Sequence, residues 1–200
     1  KFGRKSLDGK GYKMMQTVRY GVRYNNAFWS GTQMYYGSGN DTAWGPLVAV
    51  DDVGHECSHG TIQFAAGLVY QGESGALNEG WADIFGMTVE NYTGDKDWNQ
   101  SEDSYTPGRA NDALRVMNNP NTTRDPDSYK GRHWKSTARG ASDHGGVHSN
   151  SGVANFWFYL LTDGGNGRSD GKGGQVDRGN AYSVTGIGIA KSEKIAYKAL

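Results

Sequence analysis

Apolar and polar residues alternate over residues 17–24, TVRYGVRY, with Val18, Tyr20, Val22 and Tyr24 on one side and Arg19, Gly21 and Arg23 on the other. A period of two predicts a strand with one buried face. TQMYY at 32–36 predicts a second strand, followed by a turn-forming cluster from Gly37 to Asp41. The period then becomes helical. A first helix is predicted from Asp51, as its N-cap, to Gly67 just past its end. A second runs from near Ser74 to about Tyr92, with Gly94 beyond it. Residues 94–150 are rich in Gly, Pro, Asn and Asp and predict long ordered loops. A third helix is predicted at about 151–161 and a last one from near Ala190, with GGNGRSDGKGG (164–174) as a flexible excursion between them. Strands come first and helices follow, which predicts an α+β fold.

The first predicted helix carries HECSH at 55–59. Positions i and i+4 share a helix face, so His55 and His59 can aim two imidazoles at one ion. Glu56 is turned about 100° around the axis and can reach a water at that ion without being a ligand. A catalytic zinc site needs a third protein ligand. On the second helix a wheel places Leu77, Trp81, Ile84, Phe85, Thr88 and Tyr92 on one face. Glu79, Asp83 and Glu90 fall in a narrow stripe opposite. Glu79 is the nearest acid to join the histidines, and Asp83, one turn later, can fix a ligand imidazole by hydrogen bonding. The alternative is an amphipathic helix with a solvated acidic face. Cys57 points away from both histidines and reads as a small buried residue.

Composition narrows the function classes. The 21 basic and 21 acidic residues cancel, which gives no reason to expect a nucleic acid or an anionic membrane as partner. One cysteine allows no internal disulfide, so bound metal is the expected staple. The 31 glycines imply many turns and close backbone approaches.

HECSH, then 19 residues, then GALNEGWADIFG, then GGVHSNSG resembles the thermolysin-like metallopeptidases, as do YNNAFWSGTQMYYG, GLVYQGESG and YTPG. The resemblance runs over essentially the whole chain. It implies a two-lobed zincin fold: a β-rich N-terminal lobe plus the active-site helix at 1–66, and a mainly helical lobe at 67–200, with the family's domain extending past both ends. It implies a secreted, monomeric zinc endopeptidase that cleaves peptide or protein substrates. By the same resemblance His55, His59 and Glu79 bind one catalytic zinc ion and Glu56 is the general base. Asn78 and Asp83 support the imidazoles. Tyr70 and His148 stabilise the oxyanion, and Asp143 orients His148. Asn26, the Ala27 carbonyl and Arg115 hold the substrate backbone. Asp51, Glu90, Asp97 and Glu102 match a calcium site, with a backbone carbonyl from Asn99. Tyr105, Thr106, the Arg109 carbonyl and Asp112 match a second calcium loop. The pocket for the residue after the scissile bond is normally apolar in that family. Trp44, Leu47 and Leu114 keep to this, whereas Asp52, Gln100 and Ser104 stand where aliphatic residues are usual. Two other readings are an inactive homologue that binds zinc and peptide without turnover, and an exopeptidase. The absent GxMEN motif and the His–Glu spacing disfavour the second.

Overall fold

The computed structural model describes residues 2–169 and 179–200. Near the N-terminus lies a three-stranded sheet of β1 (Gln16–Tyr20), β2 (Ala27–Trp29) and β3 (Met34–Gly37), with β3 in the middle. β1 runs parallel to β3 and β2 antiparallel to it. Then come α1 (Val50–Phe64) and α2 (Gly72–Thr93), a loop-rich stretch, α3 (Ser142–Asn150), α4 (Gly152–Asp163) and α5 (Ile189–Ala199). Two small antiparallel pairs complete the order: β4 (Asn99–Gln100) with β5 (Arg115–Val116), and β6 (Gly164–Arg168) with β7 (Ala181–Thr185). This is the expected α+β architecture, with strands before α1 and mainly helices after it. No helix among the described residues is long and apolar enough to cross a membrane.

Several sequence expectations need correcting. The strand over 17–24 stops at Tyr20, and its apolar side is not buried: Val18 is 59% and Val22 93% exposed. Arg19 takes a left-handed φ of 56°, and the β1–β3 register shifts between Val18 and Tyr20. An aromatic cluster on the sheet takes the place of a buried face, with Tyr20 and Phe28 each packed on Tyr35. Asp51 is not the N-cap of α1. Ala49 is, and Asp51 lies buried inside the first turn. α1 ends at Phe64; Gly67 then uses a φ of 60° to donate its N–H back to the Ile62 carbonyl at 2.8 Å. The loops at 94–150 include β4, β5 and α3, and the predicted excursion at 164–174 begins as β6; its residues from 170 onward lie outside those described.

The acidic stripe of α2 is buried rather than solvated, and the apolar face opens to solvent only at its ends. Tyr92 is 79% exposed, whereas Glu79, Asp83 and Glu90 are buried. The acidic stripe faces α1. The helices approach so closely that a Cβ on Gly54 would meet the Gly86 Cα at 2.9 Å, and one on Gly86 the Asp51 carbonyl at 2.7 Å. Glycine at both positions lets the backbones touch, which brings side chains of α1 and α2 together at either end of the crossing. On the far side of α2, Ile84, Phe85 and Met87 pack with Met117, Phe158 and Ala196 into the helical core.

Candidate active site

At one end of the α1–α2 crossing, the His55 and His59 imidazoles converge with the Glu79 carboxylate. The two Nε2 atoms are 2.9 Å apart, and Glu79 oxygens lie 3.5 Å from His55 Nε2 and 3.4 Å from His59 Nε2. The opposite ring nitrogens fix the tautomers. His55 Nδ1 lies 2.8 Å from Asp83 Oδ1. His59 Nδ1 lies 2.7 Å from Asn78 Oδ1, and Asn78 Nδ2 donates to the Leu68 carbonyl, so the amide presents its oxygen to the ring. Both imidazoles therefore carry their proton on Nδ1 and point lone pairs at each other and at a carboxylate.

Such an arrangement is repulsive unless a proton or a metal cation sits among the three groups, and Asp83 and Glu79 raise His55 against its burial. Glu79 Oε2 is buried with no hydrogen-bond partner among the described residues, as expected of an atom reserved for an ion. Two imidazole nitrogens and one carboxylate suit zinc. Burial alone would raise Glu79, but His59 and His148 hold it well below the usual carboxylate range.

A buried network braces the ligands. Arg115 Nε donates to Asp83 Oδ2 at 2.8 Å and Nη2 to Oδ1 at 2.6 Å, while Asn155 Nδ2 also donates to Oδ2 at 2.8 Å. Burial would raise Asp83, and Arg115 and His55 reverse that. The sequence reading gave Arg115 only to the substrate. The structure has it lining the cleft with two nitrogens committed to Asp83. Asn155 went unnoticed, although it follows the GGVHSNSG motif by only three residues.

Glu56 sits beside the histidines, nearly buried, with Oε2 unpartnered among the described residues. Burial raises its carboxyl, partly opposed by His55 and His59. Across the cleft the Tyr70 hydroxyl donates to Glu79 Oε1 and lies 3.1 Å from His148 Nε2. Burial and then Glu79 push the Tyr70 phenol up, so it stays a neutral donor. His148 Nδ1 meets Asp143 Oδ1 at 2.5 Å, and its backbone N–H donates to Asp143 Oδ2 at 3.0 Å. Burial would lower His148, but Glu79 and Asp143 raise it. A left-handed turn places Asp143 there: Asp143, His144, Gly145 and Gly146 all have φ between 47° and 86°. A Cβ on Gly146 would strike Lys135 Cβ at 2.5 Å, which reserves that corner for glycine. The cleft, about 750 Å³, is also lined by Asn26, Ala27 and Leu114.

At the other end of the crossing, carboxylates of Asp51, Glu90 and Glu102 come within 4.8 Å of one another. Asp51 Oδ1, Glu90 Oε2 and both oxygens of Glu102 are buried without partners among the described residues. Burial and mutual repulsion push Glu90 up to about 9, while burial chiefly raises Glu102 to about 7 and Asp51 to about 6. Asp97 is not in this group; it accepts hydrogen bonds from Asn99, though its charge still raises Glu90. In the other predicted calcium loop, Thr106 Oγ1 donates to Asp112 Oδ2 at 2.6 Å, and the Tyr105 ring packs on Trp44.

Known proteins share this framework. Residues 1–63 match the profile described as thermolysin metallopeptidase, catalytic domain, and residues 66–200 the profile of its alpha-helical domain. Bacillolysin of Bacillus caldolyticus and thermolysin of Alicyclobacillus acidocaldarius subsp. acidocaldarius are each 48% identical over 99% of this chain and 34% of their own length. The chain thus spans about a third of the curated relatives it matches. A solved structure, the precursor of protealysin, a metalloproteinase from Serratia proteamaculans, aligns with a TM-score of 0.71 at 36% identity, covering 80% of this chain and 53% of that one. With one profile carrying the HECSH helix and the other the Glu79 helix and His148, the chain belongs to the thermolysin metallopeptidase family.

Proposed function

We propose that the protein is a secreted zinc endopeptidase that hydrolyses internal peptide bonds, with His55, His59 and Glu79 as zinc ligands. The observation that carries this reading is the facing pair of imidazole Nε2 atoms, 2.9 Å apart beside Glu79, with Glu56 Oε2, unpartnered among the described residues, next to them. Bound zinc would supply Lewis acidity, polarising the scissile carbonyl and acidifying a water. Glu56 takes the proton of the attacking water and returns it to the leaving amine, a role suited to a carboxyl raised by burial. His148 Nε2 and the Tyr70 hydroxyl donate to the carbonyl oxygen as negative charge develops there. Asp143 keeps His148 in position. Asn26, Ala27, Leu114 and Arg115 line the cleft and hold the substrate, with the peptide laid along the β2 edge. Asp51, Glu90 and Glu102, with Asp97 nearby, hold a structural calcium ion; Tyr105, Thr106 and Asp112 form a second calcium loop. The working unit is a monomer acting outside the cell in two lobes, 1–66 and 67–200.

The test is hydrolysis of an internally quenched peptide by the full-length protein, with and without a zinc chelator, alongside Glu56→Gln. Chelation should abolish activity and zinc restore it. Glu56→Gln should bind zinc normally and lose on the order of 10³-fold or more in kcat. Equal rates in Glu56→Gln and wild type would refute the role of Glu56.

A further inference from the structure

One wall of the cleft is built from hydrogen-bond acceptors. Asp52 lies one turn before His55 and Glu56 on α1, nearly buried, and lines the cleft beside them. Its Oδ1 accepts from Ser101 Oγ at 2.6 Å and its Oδ2 from Ser104 Oγ at 2.7 Å. Both hydroxyl protons are thus committed, and the serines have only lone pairs left to offer. Gln100, also lining the cleft, is 1% exposed. Its Nε2 donates to Asp51 Oδ2 at 2.6 Å, which fixes the amide and leaves Oε1 as an acceptor. Oε1 is buried and has no partner among the described residues. None of the ion pairs among the described residues reaches Asp52, and Arg115, the cation lining the cleft, is held by Asp83. Trp44, Leu47 and Leu114 add apolar wall.

We propose that this pocket receives the lysine or arginine side chain of a residue directly flanking the scissile bond, with the cationic head on Asp52 and Gln100 Oε1. The inference rests on the endopeptidase reading and names its substrate class. Lysine and arginine heads carry donors and no acceptors, the complement of the acceptors that Asp52, the two serines and Gln100 Oε1 offer on this wall. Their alkyl stems suit Trp44, Leu47 and Leu114. An apolar side chain would bury the Asp52 carboxylate without a counterion and Gln100 Oε1 without a donor, and an acidic one would meet Asp52 with like charge. Sites built to hydrogen-bond a substrate group discriminate strongly against analogues that lack it.

Two quenched peptides identical except for lysine or norleucine beside the cleaved bond test this with the full-length, zinc-loaded protein. Product masses locate the bond. The lysine peptide should have a kcat/KM on the order of tenfold or more higher. That ratio should fall towards one in Asp52→Asn. Gln100→Leu should also lower it, which keeps the test open if Asp52→Asn does not fold. Affinity of the same peptides for zinc-loaded Glu56→Gln, read by fluorescence anisotropy, should show the same preference without turnover. Equal or faster cleavage of norleucine overturns the pocket assignment and leaves the peptidase standing. Lysine-selective binding with no cleavage by the wild type keeps the pocket and overturns the peptidase. Neither cleavage nor selective binding overturns both.

Discussion

The two ends of the α1–α2 crossing hold carboxylates in opposite circumstances. At the His55–His59–Glu79 end, outward-facing donors and acceptors are matched: Asp83 and Asn78 hold the imidazoles, and Arg115 and Asn155 hold Asp83. At the Asp51–Glu90–Glu102 end, four buried carboxylate oxygens lack partners among the described residues, and all three acids are pushed up. The first cluster is shaped by neutral and cationic neighbours and keeps its geometry before an ion arrives. The second is dominated by the burial of its carboxylates, with mutual repulsion added, so only protons or a cation can relieve it. On the proposed function, one helix pair carries a preorganised site for chemistry and an ion-dependent clamp for stability.

Breaking the brace should have the largest effect. Asp83→Ala leaves the buried Arg115 without the carboxylate that it hydrogen-bonds and should cost about 3–5 kcal/mol by chemical denaturation. A loss below about 1 kcal/mol would mean the first cluster is not held by its network. Asn78→Ala removes only the His59 partner; zinc affinity should weaken about 10–100-fold by competition with a chromophoric chelator, with little change in folding. The acidic end should respond with the opposite sign. Glu90→Gln should stabilise the calcium-free protein by on the order of 1 kcal/mol while abolishing its calcium-induced rise in Tm. If the variant is less stable without calcium, repulsion does not govern that end.

The pH dependence of the calcium-free protein tests the same acids without a substitution. Glu90, Glu102 and Asp51 titrate higher folded than unfolded, so between the ordinary carboxylate range and their folded values the native state binds more protons. Stability should therefore fall as pH rises from about 5 to about 9. Saturating calcium should flatten that slope, whereas an unchanged slope would remove these acids as its cause.

Legibility in the sequence followed the range of the interactions. HECSH and Glu79 were readable because helix geometry alone puts i and i+4 on one face and the acids of α2 on one stripe. The burial of that stripe was not, because it depends on Gly54 and Gly86 letting two helices touch, a contact between residues 32 apart. The left-handed turn at 143–146 escaped for a similar reason. Asp143 and His144 share their positive φ with Gly145 and Gly146, which are pressed against Gly72 and Lys135 from distant parts of the chain, and the Gly145–Gly146 pair is its one local sign. The strand over 17–24 was overextended because alternation was read as burial, when cross-strand aromatic packing accounts for it. Asp52, Gln100 and Ser104 were visible as unusual residues; that the serine protons are committed to Asp52 and Gln100 Oε1 left unpaired needed coordinates.

The most direct measurement is a zinc titration of the metal-free, calcium-saturated full-length protein, following bound zinc and peptidase rate in the same samples. Rate should rise in proportion to bound zinc and level off at one ion per chain, with Glu79→Gln shifting both curves together to higher zinc. Full activity before zinc binds, or one tightly bound zinc with no hydrolysis of any internal peptide bond, would contradict a zinc endopeptidase built on His55, His59 and Glu79.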